Sequence, residues 1–206
     1  MYNINTMLKQ NGGPVTIQSV LLSLDLLGQS GVDGSRNAAI AGAVTKANQL
    51  WGGQNLTVRD LNPLDMSYAN NVFTDTSNAT INQWNAMATG AFTVPTATVI
   101  AIYGIKIGWL VGAAAPPINV TMPVTAIRID VGGSRHVQWH LQSLDQKAPA
   151  NTTSPYVAIA GVTRSPIVVA EDITVTLFEY TRIASNAYDP VWLGVAVEKE
   201  GVTLKP

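Results

Sequence analysis

The sequence predicts a mainly β chain, an antiparallel sandwich or barrel forming a single domain over residues 1–206, with one or two short helices in its N-terminal half. Three observations predict it. From Thr93 onward, short runs rich in Val, Ile, Thr, Tyr and Trp recur between clusters of Gly, Pro, Asn and Ser, the punctuation of a strand-rich fold. Two of those runs alternate cleanly between apolar and polar positions. Finally, the stretch from Met66 to Ile127 carries only Asp75 and Lys106 as charged side chains, in a chain that is 12% charged and 47% apolar. Soluble domains average about 25% charged residues, so something other than bulk water covers much of this surface.

Taken in order, Met1 to Pro14 holds a single Lys and no apolar block, which does not read as a secretory signal. Ile17, Val20, Leu21, Leu24 and Leu27 follow a helical period, yet Val15, Ile17, Ser19 and Leu21 would equally line a strand, and the segment stays ambiguous. Ser35 is placed to cap an alanine-rich helix over 37–50, which ends at Gly52 and Gly53. A second short helix is expected over 79–88, before Gly90. The strand candidates are 96–102, 105–111, 118–122, 125–131, 135–144, 156–162, 172–183 and 191–198, which is eight strands at the spacing of a sandwich or barrel.

Within these strands, Val137, Trp139 and Leu141 face a core while His136, Gln138, His140 and Gln142 face out, and Ile127, Ile129 and Val131 alternate with Arg128 and Asp130. The strand near residue 175 is loaded on both faces, with Ile173, Val175 and Leu177 opposite Phe178 and Tyr180, so both faces are expected to be covered. The apolar run 94–115 approaches the length of a membrane span, but it contains Pro95, Lys106 and three glycines. Val99, Ala101, Tyr103, Ile105, Ile107, Trp109 and Val111 fall on alternate positions, which is a strand pattern, and no transmembrane helix is expected. The linkers 113–117 and 148–155 read as loops inside one domain.

Composition excludes several function classes. A net charge of −1 and a pI near 6.1 give no general attraction to nucleic acid or to an anionic membrane. The absence of cysteine removes disulfides, thiolate metal sites and cysteine nucleophiles, and leaves the redox compartment open.

Each candidate site has a stronger structural reading. His136 and His140 are the only histidines, and on one strand they lie about 13 Å apart, too far to share a metal ion. Asp130, Asp145, Glu171 and Asp172 sit near predicted turns, where carboxylates are routine, and nothing sets two of them across a cleft. Ser165 lies in Arg-Ser-Pro, outside any GxSxG elbow, and Gly132-Gly133-Ser134 is a hairpin turn rather than a phosphate cradle. The sequons at Asn55, Asn78, Asn119 and Asn151 carry little weight in a chain so rich in Asn, Ser and Thr. Trp51, Trp84, Trp109, Trp139 and Trp192 belong to the core or to protein interfaces, or else stack on sugars in a carbohydrate-binding sandwich. The sequence thus reads as non-enzymatic, with no catalytic, cofactor-binding or metal-binding residue nominated and no small-molecule substrate.

A surface rich in Thr, Asn, Gln and Ala and depleted of charge suits repeated contacts with copies of itself. The closing run Asp172-Ile-Thr-Val-Thr-Leu-Phe-Glu-Tyr-Thr, a turn over 186–190, and then Val191-Trp-Leu-Gly-Val-Ala-Val-Glu resembles the last strands of the single jelly-roll capsid proteins of tailless icosahedral viruses of bacteria and archaea. The likeness is one of pattern over about half the chain. It implies a jelly roll of about eight strands and a structural protein that self-assembles into an icosahedral shell in the virion, with other virion proteins as further partners. It also implies an N-terminal region, 1–14, that forms an arm or lines the interior. The chain departs from coat proteins that neutralise packaged nucleic acid, since Met1 to Gln10 has only Lys9. No direct nucleic acid contact is expected; either another component makes it or a lipid membrane lies inside the shell. The alternative is a carbohydrate-binding module, which requires exposed, coplanar tryptophans. On the capsid reading, much of 70–115 outside the core lies in subunit contacts.

Overall fold

The computed structural model describes residues 31–68, 72–110, 122–141, 145–148 and 156–201. The readings made above for 1–27, Val111, 113–117, the strand over 118–121, Asn119, 142–144, the linker over 149–155 and Asn151 lie outside these residues, as does the side chain of His136. The described residues hold a helix α1 (Gly31–Trp51), a 3-10 turn (Pro63–Met66) and ten strands: β1 (Leu56–Asp60), β2 (Asp75–Thr76), β3 (Trp84–Thr93), β4 (Thr98–Leu110), β5 (Val124–Val131), β6 (Ser134–His140), β7 (Asp145–Ala148), β8 (Tyr156–Val169), β9 (Thr174–Thr181) and β10 (Ala187–Lys199).

Four antiparallel pairs are nested one inside another along the chain: β5 with β6, β4 with β8, β3 with β9, and β1 with β10. The innermost turn is Gly132-Gly133, where φ is +56° and +80° and Val131 pairs Ser134, the two-residue hairpin in which both central residues need positive φ. Cross-pairing of β4 with β10 and of β5 with β9 rolls this long hairpin into two sheets. The larger runs β1-β10-β4-β8-β7 and the smaller β3-β9-β5-β6. The eight strands of the nested pairs form a jelly roll, with β2 and β7 as short additions on the larger sheet.

The sheets enclose a core built from Ile100, Ile102, Ile105, Ile107 and Trp109 of β4, Ile127 and Ile129 of β5, Val175 and Leu177 of β9, and Trp192 of β10. A second apolar layer lies on the other side of the larger sheet. There α1 lays Ala39, Ile40, Ala43, Val44 and Ala47 against Val99, Ala101 and Tyr103 of β4 and Val195 and Val197 of β10. Positions 39, 43 and 47 form a stripe at helical spacing, and their small side chains let the helix lie close to the strands.

One structural detail corrects the sequence reading of β4. Alternate residues from Val99 to Trp109 do not share a face: Val99, Ala101 and Tyr103 meet the helix, whereas Ile105, Ile107 and Trp109 join the inter-sheet core. Both pairings of β4 skip Tyr103, with Ile102 opposite Gly194 and Ile167, and Gly104 opposite Leu193 and Val162. This bulge adds one residue and inverts the side-chain phase. Residues 96–102 and 105–111, expected as two strands, are therefore one strand broken in phase and not in path. Gly104 is required by the crowding: a Cβ there would lie 2.5 Å from the Gly161 carbonyl oxygen and 3.0 Å from Val162 Cγ1.

Other expectations need correction too. The helix starts at Gly31, so Ser35 is buried inside it and is not its cap, although it stops where expected, before Gly52 and Gly53. Residues 79–88 form no helix; Trp84–Thr93 is an edge strand whose buried side chains, Met87 and Phe92, reach the inter-sheet core. Ile173 precedes β9 and is exposed, while Val175 and Leu177 are buried as expected. Among the described residues, no helix is long and apolar enough to cross a membrane.

Gly104→Ala is expected to lower unfolding free energy by about 1–3 kcal/mol, the range for forcing atoms into a packed site. Gly34→Ala, inside α1 with nothing within 4 Å of the added Cβ, is expected to raise it by up to about 1 kcal/mol. Urea unfolding of both variants beside the parent chain checks the pair of signs.

Candidate functional site

Helix α1 packs on β4, β8 and β10, so it seals the outer face of the larger sheet and leaves the smaller sheet's outer face without a helical cover among the described residues. The residues presented there follow from strand pleat and register. On β9 the inward positions are Val175, Leu177, Glu179 and Thr181, which sends Phe178 and Tyr180 outward. Tyr180 pairs across to Trp84 on one side and Ala126 on the other, and Phe178 pairs to Ala86 and Arg128. Gln138 and His140 of β6 continue the two rows, opposite Arg128 and Ala126.

The outcome is an aromatic and cationic cluster. The rings of Trp84 and Tyr180 meet edge to face at 5.7 Å between centroids, and the Tyr180 hydroxyl donates to the Asn82 carbonyl oxygen at 2.8 Å. The Arg128 guanidinium carbon stands 4.0 Å from the Phe178 ring centroid and 5.3 Å from that of Trp84, while its Nε is 3.0 Å from Asp130 Oδ1. Stacking on two rings fixes the long Arg side chain, and Asp130 neutralises it, so the patch is half-buried, ordered and without net charge at its centre. Trp, Tyr, Phe and Arg are the residue types enriched at the energetic centres of protein interfaces.

The residues nominated from sequence scatter over the fold. Glu171 and Asp172 brace the turn before β4: Glu171 accepts from the Trp51 indole at 2.9 Å and from the Ala97 amide at 2.5 Å, and Asp172 accepts from Thr96 Oγ1 at 2.9 Å. Asp130 belongs to the arginine stack just described, and Asp145 lies on β7. Ser165 sits where β8 loops out over 163–166 opposite the Tyr103 bulge, hydrogen-bonded to Thr163. His136 and His140 lie four residues apart on β6, and His140 Nε2 is 3.0 Å from Gln138 Nε2. Among the described residues, no group of three or more His, Asp or Glu side chains could hold a metal ion. Asn55 is exposed and Asn78 half-buried. Of the tryptophans, Trp109 and Trp192 are buried, and Trp139 packs on Trp192 at 6.4 Å. Trp51 and Trp84 are half-buried against their own chain, so no exposed coplanar pair is formed.

Two buried polar groups escaped the sequence reading. Arg59 of β1 is held bidentately by Asp65 at 2.6 and 2.7 Å and by Glu198 at 2.6 and 3.1 Å, which ties the first strand, the 3-10 turn and the last strand together. The hydrogen bonds it donates to Asp65 lead in holding the guanidinium charged, against the opposing effect of burial. The other group is wholly acidic. Glu179, fully buried, accepts from the Asn78 amide at 2.6 Å, Thr181 Oγ1 at 2.9 Å and the Tyr188 hydroxyl at 2.5 Å. Asp75 of β2, also buried, accepts from the Thr76 amide at 2.7 Å and lies 3.4 Å from Thr89 Oγ1. Burial pushes both carboxyls above the usual carboxylate range and lifts the hydroxyls of Tyr68 and Tyr188 as well. The strand alternation that placed Val175 and Leu177 inward also placed Glu179 inward, and that was the available signal.

No protein-family model matches the chain, and no curated protein matches it. Among solved structures, a family 35 carbohydrate binding module from an environmental isolate aligns over 66% of this chain and 94% of that one, at 11% identity and a TM-score of 0.24. At that TM-score the overlap carries no argument about this chain.

Removing Arg59 would leave two buried carboxylates facing each other. Arg59→Ala is expected to lower stability by about 3–5 kcal/mol. Denaturant titration checks it, and a loss below about 1 kcal/mol, the level of an exposed pair, would refute the clamp.

Proposed function

We propose that this chain is a structural subunit that assembles with copies of itself, as a capsid protein of an icosahedral shell. The observation that carries the reading is the combination of jelly-roll strand order with a two-sided asymmetry. The larger sheet is closed by the chain's own helix, whereas the smaller sheet presents Trp84, Phe178, Tyr180 and Arg128 with no charge left unbalanced between Arg128 and Asp130. Such a face loses little by desolvation and gains by aromatic packing when a neighbour covers it. The charge-poor composition supports the same reading, because a shell subunit needs contact surface on several sides.

The fold also revises what the neutral middle of the sequence means. Val99, Ile100, Ala101, Ile102, Ile105 and Ile107 are all buried within the subunit itself, so the β4 part of 66–127 needs no partner to explain its lack of charge. Subunit contacts are left to account for the remainder, notably Val72, Ile81 and the outer positions of β3. The carbohydrate-binding reading has weaker support, since it asks for exposed stacked tryptophans and the described ones are buried or half-buried.

Size-exclusion chromatography with light scattering, followed by electron microscopy, is expected to show capsomers or closed particles. A stable monomer at high concentration would refute assembly, and binding of an oligosaccharide by that monomer would favour the alternative. His140→Glu places a charge on the exposed edge of the aromatic patch, where the folded monomer should change by no more than about 0.5 kcal/mol. The expected effect is loss of particles with the melting temperature kept, and unchanged assembly would remove this face from the contact.

A further inference from the structure

The acidic group between β2 and β9 does nothing for the contact face, and its composition is unusual for a core. Tyr68, Asp75, Glu179 and Tyr188 come from four separate parts of the chain, and each lies in the field of at least one of the others. Trp192 donates its indole N–H to the Tyr68 hydroxyl at 2.9 Å, which closes the group on the side of the hydrophobic core. The titratable groups that face one another here are all acids, two carboxyls and two phenols. Glu179 has three donors at 2.5 to 2.9 Å, whereas Asp75 has a short bond to the Thr76 amide and longer ones to Thr89, at 3.4 and 3.5 Å, with the Ala88 amide also turned toward it.

What this group holds down is specific. Strand β2 is two residues long and joins the larger sheet through two residue pairs, Thr76 with Ala187 and Asp75 with Tyr188. The chain that follows returns to β3 through Asn78, whose amide bonds Glu179, and β3 in turn offers Thr89 to Asp75. Glu179 therefore holds the start of the crossing that carries the chain from one sheet to the other, and Asp75 ties β2 directly to the middle of β3.

We propose that Asp75 and Glu179 form a proton-operated latch on this crossing, seated while at least one of the two buried carboxyls keeps its proton and loosened when both ionise. Burial disfavours charge on either carboxyl, the field of Asp75 adds to that at Glu179, and Asp75, on the shorter strand, is the one that gives way. The pH sense follows from linkage. A carboxyl lifted above its unfolded range keeps in the folded state a proton that the unfolded chain has released. The stabilisation is present at low pH and is lost as pH rises from the ordinary carboxylate range through the folded value. The inference is independent of assembly, since every contact in it lies within one subunit.

Hydrogen exchange on the full chain between pH 5 and pH 8.5, corrected for the intrinsic pH dependence of amide exchange, tests the latch. Protection of amides in 75–89 is expected to fall about tenfold over that range, the equivalent of one pKa unit of linkage, while those of α1 and β4 hold steady. Asp75→Asn keeps one acceptor oxygen and removes the ionisable proton, and should flatten the dependence. Protection that does not change in the parent chain, or an undiminished slope in both Asp75→Asn and Glu179→Gln, overturns the proposal. Should the variants fail to fold, carboxyl ¹³C titration of the parent chain decides. One of the two carboxyls should titrate above the ordinary range, and ordinary values for both overturn the latch.

Discussion

Strand β4 has to be apolar on both faces, and most of the architecture follows from that constraint. It lies between β10 and β8 in the larger sheet, with the second sheet on one side and α1 on the other. A strand in that position has no edge, and its helix side is covered through Tyr103 with Lys106 exposed beyond, so it reads as a nearly continuous hydrophobic run in place of an alternating one. The Tyr103 bulge resolves a geometric difficulty within it. Without the extra residue, Ile105, Ile107 and Trp109 would point toward the helix side, and the inter-sheet core would lose three of its five β4 side chains. Gly104 and Gly194 permit the adjustment by letting backbones approach where any side chain would collide.

Charge is placed where apolar packing cannot do the work. Arg59 with Asp65 and Glu198 joins the two ends of the sandwich chain, since β1 and β10 are partners far apart in sequence. A buried ion triad of this kind contributes directional specificity more than net stability, because desolvation offsets much of the attraction. The Arg128 stack solves a different problem, keeping a cation on an aromatic face without leaving it free. Arg36, Arg59 and Arg128 are each matched to carboxylates in this way, whereas the buried acids Asp75 and Glu179 are matched to hydrogen-bond donors.

Much of the second half of the fold was legible in the sequence. Strands β5 and β9 were found because alternation marks a buried face, and β10 because β-branched and apolar density marks a strand covered on both sides. The Gly132-Gly133 hairpin was legible because few residues besides glycine accept its two positive φ angles in succession. Strand β3 was not, since its sequence is mostly Ala, Asn and Thr. Its two buried anchors, Met87 and Phe92, are five residues apart across a break in pairing, which fits neither a strand nor a helix period. The contact face was half legible: Phe178 and Tyr180 stood out on β9, but Trp84 and Arg128 join them only through cross-strand register, which no single segment encodes. Glu179 could be placed inward by alternation, yet its partner Asp75 comes from a two-residue strand that has no sequence signature at all.

The nesting of the four strand pairs carries a consequence for how the chain acquires its shape. The innermost pair closes across two residues at Gly132-Gly133, while the outermost joins Leu56 to Lys199. Loop-closure entropy therefore rises step by step from the hairpin tip outward, and each pair that forms shortens the loop the next one has to close. Assembly of the fold is accordingly a zippering process with high contact order, slow for its size, in which the hairpin tip leads and β1 docks on β10 late. The arginine triad at that last junction is thus a fastener on the final step.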